Sequence, residues 1–162
     1  MVYMMEFYTD GGCRDDGGPR AIGVAVCLSM NQFGTYTTSS RGLPGDPRPT
    51  KNRAEITAVM LALELALHRY KRLDGRPPLS VRIFSDSQYA IRCMDSWIIG
   101  WRQTGWRDST GDEIVNRDLV ERAADLDDEL RREGSVNYIW IPRSENREAA
   151  RICNEKLDNM II

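Results

Sequence analysis

Tyr3-Met-Met-Glu-Phe-Tyr-Thr-Asp10 and Leu79-Ser-Val-Arg-Ile-Phe-Ser-Asp86 are the two stretches whose reading decides the fold. Each interleaves apolar and polar residues as a strand does, and each stops on an aspartate. Between them, from Asn52 as the expected N-cap, apolar residues fall at Ile56, Val59, Met60, Leu63 and Leu67, the stripe of an amphipathic helix. Strand, crossover helix, strand is the order that makes two strands parallel neighbours, about 4.8 Å apart. Asp10 and Asp86 then leave the sheet at the same carboxyl edge, where open α/β sheets place their ligands.

Working outward, Gly23–Ser29 reads as a second strand after a Gly/Pro-rich turn and Thr35–Ser40 as a third, completing an antiparallel meander. Gly42–Lys51 is a loop. Past Asp86, Ser87–Trp97 reads as a helix, Leu119, Ala123, Leu126 and Leu130 mark another that starts near Asn116, and Val136–Ile141 is a last strand stopped by Pro142. Glu145–Met160 is helical, with Ala149, Ile152, Cys153 and Leu157 as its inner face. The order predicts an α/β domain with a mixed sheet of about five strands. A chain of 162 residues, 41% apolar, suits one domain spanning 1–162 with its own core.

No run approaches membrane-spanning length and the N-terminal residues do not read as a signal peptide. Cys13, Cys27, Cys93 and Cys153 lack CxxC spacing, so a reduced intracellular compartment, cytoplasmic or nuclear, is expected. Net charge is −2, which does not announce a polyanion partner, but its distribution is uneven. Arg41–Arg76 holds eight Lys/Arg against four acids, and Asp108–Glu133 ten acids against four Arg. That pattern reads either as a positive face beside an acidic helix or as ordinary solvated surface.

Glu55 lies in the first turn of the long helix that crosses the carboxyl edge, so three carboxylates are expected to converge there. Acids at roughly 4 Å repel by about 4 kcal/mol per pair at an effective dielectric near 20, so the cluster must share protons or hold a cation. Hard oxygen ligands without nearby His or thiolate favour Mg²⁺ or Mn²⁺ over Zn²⁺. The single histidine, His68, is expected on the surface. Taken singly, Asp-Gly after a strand is a common turn and Ser-Asp-Ser before a helix a common N-cap. Their pairing at two neighbouring strand ends is what points to a site.

Tyr8-Thr-Asp-Gly11, Thr50-Lys-Asn-Arg-Ala-Glu55 and Ser85-Asp-Ser-Gln-Tyr-Ala90 resemble, in order and spacing, the three carboxylate motifs of type 1 ribonucleases H. Trp97-Ile-Ile-Gly-Trp-Arg-Gln-Thr-Gly-Trp106 looks like that family's substrate-binding helix and handle, and Trp140 also fits. The resemblance implies an RNase H-like mixed five-stranded sheet in the order 3-2-1-4-5 with helices on both faces. It implies endonucleolytic hydrolysis of the RNA strand of RNA–DNA hybrids, leaving 5′-phosphate ends, with two metal ions held by Asp10, Glu55 and Asp86. It places backbone groups of Gly11, Gly12 and Cys13, and the side chains of Asn52 and Gln88, at ribose 2′-hydroxyls. It sets Trp97 against the DNA strand, with core packing as the alternative role for the tryptophans, and gives Asn116 a DNA phosphate to hold through backbone N–H groups.

The chain departs from that pattern near its end. Where the family has a fourth carboxylate, Asn154 is the expected occupant, with Glu155 and Glu148 as alternatives, and Arg143-Ser144 replaces a loop histidine. An amide oxygen ligates a hard cation without adding charge, and a guanidinium does not shuttle protons near neutral pH. Two readings therefore stand: a metal-dependent ribonuclease H, weakened or preferring Mn²⁺, and a paralogue that binds hybrids without cutting them. A third, an integrase-like relative, matches Asn52, Gln88 and the handle poorly. The RNA–DNA hybrid is the expected partner, no membrane is involved, and a monomer is expected.

Overall fold

The computed structural model describes residues 1–160; the last two positions of the expected 1–162 unit lie outside the described residues. Five strands, β1 (Tyr3–Arg14), β2 (Ile22–Met30), β3 (Tyr36–Gly42), β4 (Leu79–Ser85) and β5 (Gly134–Trp140), form one mixed sheet in the order β3-β2-β1-β4-β5. β2 runs antiparallel to both β1 and β3, while β4 is parallel to β1 and to β5. The helices are α1 (Lys51–Lys71), α2 (Gln88–Arg92), α3 (Ile98–Gln103), α4 (Arg117–Arg131) and α5 (Arg147–Met160).

The two sheet faces follow from strand alternation. Met5, Phe7 and Cys27 point into the larger core, together with Val81 and Ile83 of β4, Ile56, Val59 and Leu63 of α1 and Leu126 and Leu130 of α4. Val24, Val26 and Leu28 point the other way, onto Ala149, Ile152, Cys153 and Leu157 of α5. Helices thus cover both faces, as the sequence implies, and the inner face read for α5 is the observed one.

Three boundaries differ from the sequence reading, the first being that β1 does not stop at Asp10 but runs on to Arg14 beside β2. Helix α1 is capped by Thr50, whose hydroxyl accepts from the Arg53 N–H at 3.0 Å, so Asn52 sits inside the first turn rather than at the cap. Ser87–Trp97 is not one α-helix: α2 ends at Arg92 and a wide π turn, Cys93–Trp97, joins it to α3. That turn is closed by the Ile98 N–H on the Cys93 carbonyl, and it carries an extra residue that a 3.6-residue periodicity cannot anticipate. Asn116 does stand at the N-cap of α4, but in left-handed conformation (φ 64°) and without a side-chain cap. Its amide instead accepts from Arg53 at 3.2 Å and donates to the Tyr89 hydroxyl at 3.0 Å.

Candidate active site

The β1–β4 register ends by pairing Thr9 with Ser85, so the next residue in each strand, Asp10 and Asp86, falls where the two strands part, Asp10 remaining in β1 opposite Val26 of β2. Thr9 fixes the pair: its hydroxyl donates to the Phe84 carbonyl at 2.9 Å. Past Asp86, Ser87 caps α2 by accepting the Ala90 N–H, so the Ser-Asp-Ser segment is both a helix start and the place where a carboxylate turns inward. Glu55 arrives from α1, which crosses β1 at Gly11 so closely that a Cβ there would overlap the backbone of Ala54.

Oxygens of Asp10, Glu55 and Asp86 all lie within 4.8 Å of one another. Asp10 and Glu55 are each 1% exposed. Both Asp10 oxygens and Glu55 Oε1 are buried without a hydrogen-bond partner, while Glu55 Oε2 accepts the Gly11 N–H at 3.1 Å. Burial, followed by the Asp10 charge, pushes the Glu55 carboxyl well above its usual range, against an opposing pull from Lys51. Burial and then Asp86 raise Asp10, with Arg143 and Lys51 opposing. Unpaired buried oxygens of like charge are the donor set of a hard divalent cation, and the residues present suit one.

Asn154 does not join this group. Cys153 packs inward beside Gly12, its thiol raised to about 12 by burial and then by Asp10 and Glu55. One residue on, a helix turns by about 100°, and Asn154 is exposed. Glu155 and Glu148 are also committed elsewhere, both to Arg151. The amide brought to the carboxylates is that of Asn146, 2% exposed, just ahead of α5. Its Nδ2 donates to the Thr9 carbonyl at 2.9 Å and to Asp86 Oδ2 at 3.1 Å, and its Oδ1 is buried without a partner.

Nothing in the sequence marks Asn146 as part of a site, because an asparagine before a helix reads as a cap. The sequence reading omits Lys51 as well, whose Nζ lies 3.4 Å from Glu55 Oε1 and 3.3 Å from the Gly11 carbonyl oxygen. The i,i+4 spacing to Glu55 was the available signal. Arg143 reaches over the same edge, 3.8 Å from Asp10 Oδ1 and 3.7 Å from Asp86 Oδ2.

Around the cluster, the other expected residues divide. Gly11 has its N–H on Glu55 and its carbonyl beside Lys51, so both are taken up within the protein, and Gly12 is buried against α5. Cys13 is half-buried, and Asn52 and Gln88 are exposed in the first turns of α1 and α2. Trp97 is 39% exposed, edge-on to Tyr89 and tilted against Trp101, whereas Trp101 and Trp106 pack on the core. Trp140 donates its indole N–H to the Asp86 carbonyl at 3.1 Å. His68 is exposed. No described helix is long and apolar enough to cross a membrane.

A mixed α/β sheet with a carboxylate triad at its parallel-strand edge, partly buried and partly unpaired, defines the class: an enzyme whose acidic site can hold a divalent metal ion. Comparison with known proteins narrows it. The RNase H family model matches residues 3–160, and the chain belongs to that family. It is 33% identical to a ribonuclease H of Halorhodospira halophila, covering 98% of this chain and 95% of that protein. Among solved structures it is similar to RNase H1 of the archaeon Halobacterium salinarum (TM-score 0.60, 22% identity, 97% of this chain and 99% of that one). It is also similar to part of a foamy viral protease-reverse transcriptase in complex with RNA/DNA hybrid (TM-score 0.71, 19% identity, 92% of this chain and 19% of that one). These two likenesses concern the fold.

Proposed function

We propose that this chain hydrolyses the RNA strand of RNA–DNA hybrids, leaving 5′-phosphate ends, at the edge formed by Asp10, Glu55 and Asp86. The observation that carries the reading is three carboxylates with oxygens within 4.8 Å of one another, among them both oxygens of Asp10 and Oε1 of Glu55, buried and unpaired. Membership of the RNase H family supports it, as does the fold shared with a reverse transcriptase bound to such a hybrid. Mg²⁺, or Mn²⁺, is the cofactor we assign, as a pair held by these three side chains, with the neutral oxygen of Asn146 beside them. Bound there, the ions supply Lewis-acid activation of water and stabilisation of the leaving 3′-oxygen.

The protein's own part is to hold and to sort. The Gly11 N–H fixes Glu55, and the Asn146 amide fixes Asp86. Asn52 in the first turn of α1, Gln88 in that of α2 and Cys13 on β1 are assigned to ribose 2′-hydroxyls, which make RNA distinguishable from DNA. The exposed face of Trp97 is assigned to the DNA strand and the start of α4 at Asn116 to a DNA phosphate.

A second reading, a hybrid binder that does not cut, draws on one observation: Lys51 and Arg143 already stand at the carboxylates. The test is cleavage of an end-labelled hybrid in Mg²⁺ and in Mn²⁺, with Asp10→Asn beside the wild type. Metal-dependent cleavage that falls about 10³-fold or more in a folded Asp10→Asn protein is expected. Binding without cleavage in either metal gives the second reading, and wild-type turnover by Asp10→Asn removes the site assignment.

A further inference from the structure

Each carboxylate of the cluster is faced by a cation from the protein itself. Lys51 comes from the same helical face as Glu55, and Arg143 from the short 3-10 turn Arg143–Glu145 spans both aspartates. Three features set these contacts apart from ordinary ion pairs. Their distances, 3.4 to 3.8 Å, are longer than direct charge-assisted bonds such as Arg53–Asp118 at 2.8 Å. Two of the three acid oxygens they face, Glu55 Oε1 and Asp10 Oδ1, have no hydrogen-bond partner, and the third, Asp86 Oδ2, accepts the Asn146 amide, so the cations neutralise the charge without saturating the ligand positions. Finally, the Lys51 and Arg143 side chains are about half exposed, 51% and 53%, so each can swing into water as a metal ion takes over its neutralising role.

We infer that Lys51 and Arg143 are resident counter-ions of the carboxylate cluster, which entering divalent ions must push aside, so that both residues lower the metal affinity of the site. The inference rests on the reading that Asp10, Glu55 and Asp86 hold the metal. A cation arriving among these oxygens stands within a few ångströms of two positive side chains in a poorly solvated pocket, where like charges repel strongly. The same two side chains relieve the mutual repulsion of the three acids when no metal is bound. The free site is thereby stabilised at the expense of the loaded one.

The test is Mn²⁺ binding to the full chain, followed by loss of the free-ion EPR signal at one fixed pH of 8.0 for all variants. Lys51→Met is expected to bind roughly tenfold more tightly than wild type, a change of about 1.4 kcal/mol. Arg143→Met should shift in the same direction, and Lys51→Arg, which keeps the charge, should remain near wild type. Asp10→Asn should bind at least about tenfold more weakly. Unchanged or weaker binding in both Met variants, with binding still lost in Asp10→Asn, overturns the counter-ion role and leaves the metal site standing. Wild-type binding by Asp10→Asn overturns the metal-site reading itself. Because Lys51 and Arg143 lie on separate elements, a folding failure of one Met variant leaves the other to decide.

Discussion

Glu55 is a carboxyl that the fold makes costly to ionise. Burial first, and the neighbouring Asp10 second, hold its pKa well above the usual range. A folded-state pKa above the unfolded value means that the native protein binds the proton more tightly. Stability conferred by this group is therefore present at low pH and lost as pH rises from about 4 through the folded pKa. Glu55→Gln, which keeps an oxygen for the Gly11 N–H, should be at least about 1 kcal/mol more stable than wild type at pH 8 without metal, and near equal at pH 4. Urea unfolding at the two pH values checks this, and a pH-independent difference would mean that Glu55 ionises freely in the folded chain. Added Mg²⁺ should stabilise wild type far more than the variant. At this scale the sequence was legible where an acid stood in a motif: Asp10, Glu55 and Asp86 converge as their positions imply. Asn146 was not, because its local role as a residue before a helix is indistinguishable in sequence from its reach across to Thr9 and Asp86.

At the scale of elements, the site exists because β1 and α1 approach with nothing between them at Gly11. A methyl group there would overlap the Ala54 carbonyl carbon and its neighbours, which are backbone and cannot rotate away. Gly11→Ala should cost about 2–4 kcal/mol through forced separation of the helix from the strand. It should also weaken Mn²⁺ binding, since Glu55 rides on that helix. Gly100→Ala is the control: it lies in α3 with nothing within 4 Å, and should be neutral or stabilising by about 0.5–1 kcal/mol. Equal melting curves for the two variants would show that the close approach tolerates a side chain. Apolar spacing revealed α1, both parallel strands and the inner face of α5, but α1 buries every residue from Arg53 to Leu63, between the sheet and α4, rather than the single stripe its spacing suggests. It failed at Cys93–Trp97, where a change from α to π hydrogen bonding leaves composition and polarity untouched. It also misplaced the cap of α1, since Asn is by type the better cap former and only backbone geometry selects Thr50 over Asn52.

Across the whole molecule, charge counted along the chain misleads about charge in space. The basic stretch and the acidic stretch meet: Arg53 pairs with Asp118 at 2.8 Å and Arg76 with Glu133, while Arg41 pairs with Glu64 at 2.6 Å and Lys51 faces Glu55. Segment counts could not show this, because ion pairing joins residues separated by tens of positions. With these cations engaged and a net charge of −2, hybrid binding should draw little on phosphate neutralisation. Fluorescence anisotropy with Asp10→Asn protein and a labelled hybrid should give a log–log salt slope shallower than about −4, the counter-ion release of roughly four phosphate contacts. Preference for the hybrid over a DNA duplex of the same sequence should stay nearly constant across that titration. It rests on 2′-hydroxyl contacts, which carry no charge and release no counter-ions, so salt should weaken both complexes together. A slope steeper than about −7 would require a continuous basic face that the ion pairs argue against, and a preference that vanished with salt would place discrimination in the phosphates rather than the sugars.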